Sequence, residues 1–584
     1  MDFFKRFLAS CLGSVVGLGF LFFIILFGIL GISSSSSISN IEKTKIEENS
    51  VLELNLNIPI RDRGPKTNVL ELSLEISPKA VGLNQILGAI SKANKDDKIK
   101  GISLSSDFIN AGWAQTQEIR NALKDFKESG KFIYAYSNYF SQKGYYLASI
   151  ADSIFMNPLG MIDFKGLSTE ILYYDKFQKK YGVKYEVIRK GEYKSAVEPY
   201  LQDKMSDENR SQIKNLLFTV WETISTEISQ SRNLNLEELN FIADNLLVTT
   251  SKEALKNKFI DKIVHEDNYK KSIKNLLGIL DSDDLNLIDF KRLNSKIKDY
   301  DLKIKDKIAI IYAQGTILYV EGSETIIGEE LFRETIDELG GNENIKAVVL
   351  RIDSPGGDPL TSDILWNSIE KLKKNKPIVV SMGNVAASGG YYIACNANKI
   401  LANPMTITGS IGVWGTLPNL EGISSDIGIN AEQVNTHKNS MGYSLFEPLQ
   451  SGYKNAMERT IDEVYNLFKL RVSEGRTISY EEVEKYARGY VWSGKEAKKI
   501  GLIDEIGGLQ DAIYEASKLA EVENFNIVEY PIVEEDFESI FSEILPSIEF
   551  FNDFKKIKDI TSPNSRIKSF ENIKTLVPYK ITIN

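Results

Sequence analysis

Histidine is nearly missing from this chain: His265 and His437 are the only two among 584 residues. Neither stands in a segment resembling a catalytic-base motif, so a hydroxyl activated by imidazole is not the expected chemistry. Cysteine is as scarce, with only Cys11 and Cys395, which excludes a disulfide framework. Cys11 falls in a hydrophobic run and Cys395 in a predicted buried helix, so the two are not expected to bridge, and Cys395 reads as a small core residue. There is no Walker-type glycine loop and no cluster of His and Cys at ligand spacing, so no metal, nucleotide or other cofactor is expected. A net charge of −10 argues against nucleic acid as a partner. What is present is a globular composition, 42% hydrophobic and 26% charged, in a chain long enough for several domains.

The N-terminus departs from that composition. Phe7–Ile32 contains no charged residue and exceeds the roughly 20 apolar residues that span a bilayer. Lys5 and Arg6 precede it, which favours a cytoplasmic N-terminus. The run is longer than the roughly 7–15-residue core of a cleavable signal, and Ser33–Ser37 offers no clear cleavage site. Leu8-Ala9-Ser10-Cys11 has the look of a lipoprotein box but precedes the apolar core, so it is discounted. The expectation is a retained single-pass anchor. The lipid bilayer is then a partner, and the C-terminal bulk lies outside the cytoplasm.

The chemistry concentrates on Ser388. It sits in the small-residue run Asn384-Val385-Ala386-Ala387-Ser388-Gly389-Gly390, after the apolar stretch Pro377–Met382 and before Tyr391–Asn396. These flanks predict a buried parallel strand and the first turns of a helix, placing the serine at a helix N-terminus where free N–H groups favour developing negative charge. A second glycine turn, Asp353-Ser354-Pro355-Gly356-Gly357, follows the apolar strand Ala347–Leu350. Two such turns at the ends of neighbouring strands meet the requirement of an oxyanion hole. With no histidine suited to the task, the base is expected to be a lysine kept neutral by burial. Lys194, in Gly191-Glu192-Tyr193-Lys194-Ser195-Ala196-Val197-Glu198-Pro199-Tyr200, and Lys438, in Thr436-His437-Lys438-Asn439-Ser440, are the two candidates.

An internal repeat underlies these motifs. Ile99 and Ile345, Gly144 and Gly390, and Asn157 and Asn403 open similar short stretches, each pair 246 residues apart. At that spacing Ser388 falls opposite Gln142, and Gly356-Gly357 opposite Asn110-Ala111. The first copy therefore lacks both nucleophile and glycine turn, yet keeps Lys194. A composite site follows, with the serine from the second copy and the lysine from the first. Strands alternating with amphipathic helices such as Leu331–Leu339 and Asp363–Leu372 predict an α/β fold with parallel sheets. Asp203–Ser231 and Ser451–Val472 read as long helices.

Together these residues resemble the long form of the signal peptide peptidase A family, membrane-bound serine–lysine peptidases of the Clp-protease/crotonase-like fold. The resemblance runs from about Val51 to Ala520. It rests on the Ser354–Gly357 and Ser388 turns, Thr408-Gly409-Ser410-Ile411-Gly412-Val413, Gly191–Tyr200, Trp492-Ser493-Gly494, Ala497 and Gly501-Leu502-Ile503-Asp504. It implies Ser388 as nucleophile, Lys194 as general base, Ser410 as a hydroxyl orienting the lysine, and backbone N–H groups of Gly357 and Gly389 as the oxyanion hole, with Gly356 in support. Lys438 remains the alternative base. It lies 244 residues after Lys194, where short-form relatives carry theirs. The resemblance implies membrane-anchored endopeptidase cleavage of extended membrane-proximal peptides, such as cleaved signal peptides, by a homotetramer in a bacterial inner membrane. Alternatives are a general membrane-proximal quality-control protease, or a non-catalytic or acyl-CoA-binding crotonase-fold protein. The expected organisation is a cytoplasmic segment 1–6, an anchor 7–32, a linker 33–50, a degenerate first repeat 51–272, a bridge 273–306, a second repeat 307–525 with the nucleophile, and a C-terminal extension 526–584 that packs as a short helical addition.

Overall fold

The computed structural model describes Gly17, residues 46–65, 80–105, 107–294 and 301–532, and the backbone of the strand Ile573–Leu576. Uninterrupted aliphatic runs such as Ile308–Ala313 and Ala347–Leu350 form strands buried on both faces, as parallel sheets require. Six strands make the first sheet, in the order Lys262–Ile263, Ser153–Ile162, Phe132–Phe140, Ile99–Ser105, Ser50–Asn55 and Leu287–Asp289, all parallel. The second sheet runs Val491–Ser493, Ile407–Gly409, Ile378–Ala387, Ile345–Ser354, Lys307–Gln314 and Asn526–Tyr530, with Lys399–Ala402 and Glu505–Ile506 beside it. Each Val, Ile or Leu fully buried in these layers stabilises by about 1.5–3 kcal/mol.

The two α/β units are copies in structure as well as in sequence. The elements beginning at Ile99, Trp113, Phe132 and Ser153 have counterparts beginning at Ile345, Pro359, Ile378 and Lys399, each 246 residues later. Two features join the copies. The strand Lys184–Lys190 of the first pairs antiparallel with Val413–Asn419 of the second along seven residues, Lys190 opposite Val413. Elsewhere, fully buried Arg351 receives carboxylates from the other copy. Its Nε and Nη2 donate to Asp62 at 2.9 and 3.0 Å, and Nη2 also donates to Glu118 at 2.6 Å.

Three expectations change. The segment expected as a bridge contributes an edge strand, Leu287–Asp289, to the first sheet. The start of the C-terminal extension is a strand, not a helix: Asn526–Tyr530 pairs parallel with Lys307–Ile311, completing the open edge of the second sheet. The single transmembrane helix ahead of the repeats is also corrected. Phe7–Ile32, Gly17 aside, lies outside the described residues, and among those described no helix is long and apolar enough to cross a membrane. The fold class that stands is two tandem α/β domains.

Candidate active site

Ser388 follows the last residue of the strand Ile378–Ala387 and caps the helix Gly389–Ala394. Its φ of 56° and ψ of −119° are unusual for a residue with a side chain, a strain of about 1–3 kcal/mol that the neighbouring structure must hold. Neighbouring strands supply the restraint. Val385–Ala387 pair with Ile407–Gly409, and the Ser388 N–H donates to the Gly409 carbonyl at 2.8 Å. The next residue, Ser410, is thereby set beside the Ser388 turn.

The inter-repeat ladder brings in Lys194. Val413 begins its strand three residues after Ser410, and Lys190, its partner, ends a strand four residues before Lys194. The lysine is fully buried, and its Nζ lies 2.9 Å from Ser388 Oγ, 3.0 Å from Ser410 O and 3.0 Å from Ser410 Oγ. Burial pushes the amine well below the usual lysine value, with no charged neighbour contributing. A neutral amine has two hydrogens and one lone pair. The Ser410 carbonyl only accepts, and the Ser410 hydroxyl donates to Gly489 O at 3.5 Å, so both Ser410 oxygens accept from Nζ. That arrangement leaves the remaining Nζ position facing Ser388 Oγ.

The lysine block is clamped from both ends. Glu198, buried, accepts from Ser206 Oγ and from Asn209 Nδ2, at the start of the long helix Asp207–Arg232. Tyr193 N–H donates to Arg488 O at 2.9 Å. Gly489 has φ of 80°, and a Cβ there would stand 2.7 Å from the Lys194 backbone nitrogen and Cβ. Only glycine fits this close approach.

The two glycine turns also meet. Gly356–Gly357 form a short strand beside Thr316–Leu318, and a Cβ on Gly390 would lie 2.9 Å from Ser354 O, so the two turns are in contact. Gly356 N–H donates to Ser354 Oγ at 3.1 Å. Asp353 anchors both turns: its carboxylate accepts from Val385 N at 2.9 Å and from Asn384 Nδ2 at 3.3 Å. Loss of water around it and the Asp62 carboxylate push Asp353 up to about 7.

Ser388, Lys194, Ser410, Gly356, Gly357 and Gly389 thus converge. Lys438 does not: it is exposed in the turn Thr436–Ser440, together with His437. His265 is exposed ahead of the helix Glu266–Leu277. Cys395 is buried, its thiol pushed up to about 12 by burial and donating to Tyr392 O, as suits a core residue. Sequence reasoning missed Gly489 and Asp353. The first has a weak signal in Arg488-Gly489-Tyr490, just ahead of the recognised Trp492-Ser493-Gly494. The second opens the glycine turn but gives no hint of its carboxyl's partners.

Comparison with known proteins gives the family. Peptidase family S49 matches residues 125–280 and 370–523. The chain is 33% identical to Protease 4 of Haemophilus influenzae over 531 residues, covering 88% of this chain and 85% of that one. It is 32% identical to Protease 4 of Salmonella typhi over 461 residues, 77% and 74% of the two chains. It is 34% identical to the chloroplastic serine protease SPPA of Arabidopsis thaliana over 453 residues, 76% and 66% of the two chains. These findings set aside the acyl-CoA-binding and non-catalytic alternatives. They carry peptidase activity but not membrane attachment. With no spanning helix among the described residues, the expectations of an anchored enzyme, a lipid-bilayer partner and an inner-membrane location are corrected to a two-domain peptidase architecture. The chain belongs to peptidase family S49 and is a serine peptidase.

Proposed function

We propose that this peptidase cleaves extended peptides with a Ser–Lys dyad assembled from both repeats, Ser388 as nucleophile and Lys194 as general base. The observation that carries this reading is the 2.9 Å approach of a fully buried Lys194 Nζ to Ser388 Oγ. The amine takes the Ser388 proton as Oγ attacks the peptide carbonyl. The oxyanion forms against the backbone N–H groups of Gly357 and Gly389, with Gly356 shaping the turn. Losing one such donor typically costs about 10²–10³ in rate. The Lys194 ammonium protonates the departing amine and becomes neutral again. Water, deprotonated by the same lysine, then hydrolyses the Ser388 ester, and the lysine returns that proton to the departing Ser388 Oγ. Ser410 holds two of the lysine's Nζ hydrogens throughout, so the position that gains and loses the transferred proton keeps facing Ser388. In this reading residues 51–272 serve the base and residues 307–525 the nucleophile.

A fluorophosphonate probe tests it. Intact-mass and peptide mapping of the labelled full chain are expected to find one adduct, on Ser388, and none in Ser388→Ala. An adduct that persists in Ser388→Ala would show that another residue is the nucleophile.

A further inference from the structure

The strand that delivers Ser388 is irregular just ahead of it. Ile352 pairs with Met382 and Ser354 with Ala386, so one residue, Asp353, stands opposite three, Gly383, Asn384 and Val385. A bulge of this kind interrupts the ladder between the two strands, and here side chains complete it. The Asp353 carboxylate accepts from Val385 N at 2.9 Å and from Asn384 Nδ2 at 3.3 Å. Asn384 in turn reaches the other copy: its Oδ1 accepts from Gln115 N at 3.2 Å, in the first turn of the helix Trp113–Glu128. A Cβ on Gly112, which caps that helix, would stand 2.0 Å from Asn384 Oδ1, so glycine is what lets the copies approach this closely.

Hydrogen-bond counting fixes what this run of contacts needs. Val385 N–H at one end and Gln115 N–H at the other are both donors, so Asp353 and Asn384 must each present an acceptor outward. Between the two side chains one donor must then meet one acceptor. An ionised carboxylate facing the Asn384 amide satisfies all three contacts. Two amides would set donor against donor whichever way they turned, and a protonated Asp353 presents a hydroxyl where an acceptor is required.

The surroundings bear on that ionisation. A Cβ on Gly383 would meet Asp62 Oδ2 at 2.7 Å and Asp353 Cγ at 3.3 Å, so two carboxylates flank this glycine. Gln115 Nε2 donates to Asp62 Oδ1 at 3.0 Å, and buried Arg351 binds Asp62 and Glu118. Farther out, Tyr312 OH donates to Glu529 at 3.0 Å, and Arg63 Nε lies 3.8 Å from the same carboxylate. Arg351 is thus committed to Asp62 and Glu118, and Asp353 holds its charge against loss of water and the Asp62 anion, which push it up to about 7.

We propose that Asp353 is a positioning residue that must be ionised for full turnover, and that with Asn384 it carries the seating of the first repeat to the Ser388 turn. The first repeat then acts on the nucleophile as well as supplying the base. This rests on Ser388 being the nucleophile, as read above.

The swap Asp353→Asn/Asn384→Asp tests it, because exchanging carboxylate and amide restores the count that Asp353→Asn alone destroys. At about pH 8, Asp353→Asn in the full chain is expected to lower kcat on a peptide about tenfold or more with KM within about twofold, and the swap to recover kcat to within about threefold of the parent. The acid limb of the parent's kcat profile is expected to contain one more ionisation, near 7, than that of Asp353→Asn. A parent-like kcat in Asp353→Asn, a swap no faster than the single variant, or identical acid limbs would overturn the proposal. Hydrogen exchange judges the clamp without turnover. In full-length Ser388→Ala, protection of residues 383–388, corrected for the intrinsic pH dependence, is expected to fall between about pH 8 and about pH 6; unchanged protection refutes the clamp. If Ser388→Ala retains turnover, the nucleophile reading fails, while the exchange result still decides the clamp.

Discussion

In the first repeat Gln142 occupies the position of Ser388, and the space around it is knitted shut. Its Nε2 donates to Gly166 O at 2.9 Å, and its Oε1 accepts from Lys165 N and Gly166 N, both at 3.0 Å. Those partners are the counterparts of Ile411 and Gly412, beside Ser410 in the second repeat. Where the second repeat has Gly389 and Gly357, the first has Lys143 and Ala111, and Lys143 Nζ donates to Ala111 O at 2.9 Å. Phe164, in the place of Ser410, packs against Tyr145, Trp221 and Phe259. One frame thus supports two outcomes. Long side chains close the pocket in the first copy, while glycine and serine leave room at the same positions in the second, where the other copy's lysine enters. Pairing polar groups within the frame serves stability; presenting them to an incoming lysine serves chemistry.

Substitution at the paired positions should separate these roles. Ser388→Ala is expected to lower kcat/KM by roughly 10⁴-fold or more while leaving the unfolding midpoint near that of the parent. Gln142→Ala should do the reverse, costing about 1–3 kcal/mol because it strips partners from the Lys165 and Gly166 backbone, with kcat/KM within about twofold of the parent. Loss of activity in Gln142→Ala with unaltered stability would break the comparison.

The join between the copies is the next target. Arg351→Met leaves the Asp62 and Glu118 carboxylates buried and unpaired, and is expected to destabilise by about 3–5 kcal/mol in urea unfolding. A change below about 1 kcal/mol, the cost of an exposed pair, would mean that the copies are held mainly by the strand ladder. The smallest effect concerns Lys194. Folding lowers its proton affinity, so between its depressed folded value and about 10.4 the unfolded state binds more protons and stability rises with pH. Lys194→Met removes that dependence. The variant should unfold a few degrees higher than the parent near neutral pH, and the gap should close as the pH approaches the unfolded lysine value. A gap that widens with pH would argue against a buried neutral amine.

Much of this arrangement is legible in the chain, because local pattern and local structure coincide there. The run ending at Ser388 is an apolar strand followed by glycines, and that strand and helix form around it, the strand extending to Ala387. The constant repeat spacing predicts element boundaries to the residue in four places. Lys194 and Lys438 are harder to rank, since both suit the repeat register. Their difference arises from the route of the chain: the first follows the strand that pairs with Val413–Asn419, while the second lies in an exposed turn beyond the helix Glu421–Asp426. Gly489 and Asp353 matter through contacts with segments 295 and 32 residues away, Lys194 and Val385, which no local pattern announces. The strand Asn526–Tyr530 is not legible locally, because what makes it a strand is the free edge of Lys307–Ile311, far earlier in the chain.

The most direct test of the composite site is the kcat/KM of Lys194→Ala and Lys438→Ala, measured side by side on one peptide. The account predicts that Lys194→Ala loses roughly 10³-fold or more with its fold intact by circular dichroism, and that Lys438→Ala stays within about twofold of the parent. An active Lys194→Ala beside an inactive Lys438→Ala would contradict it.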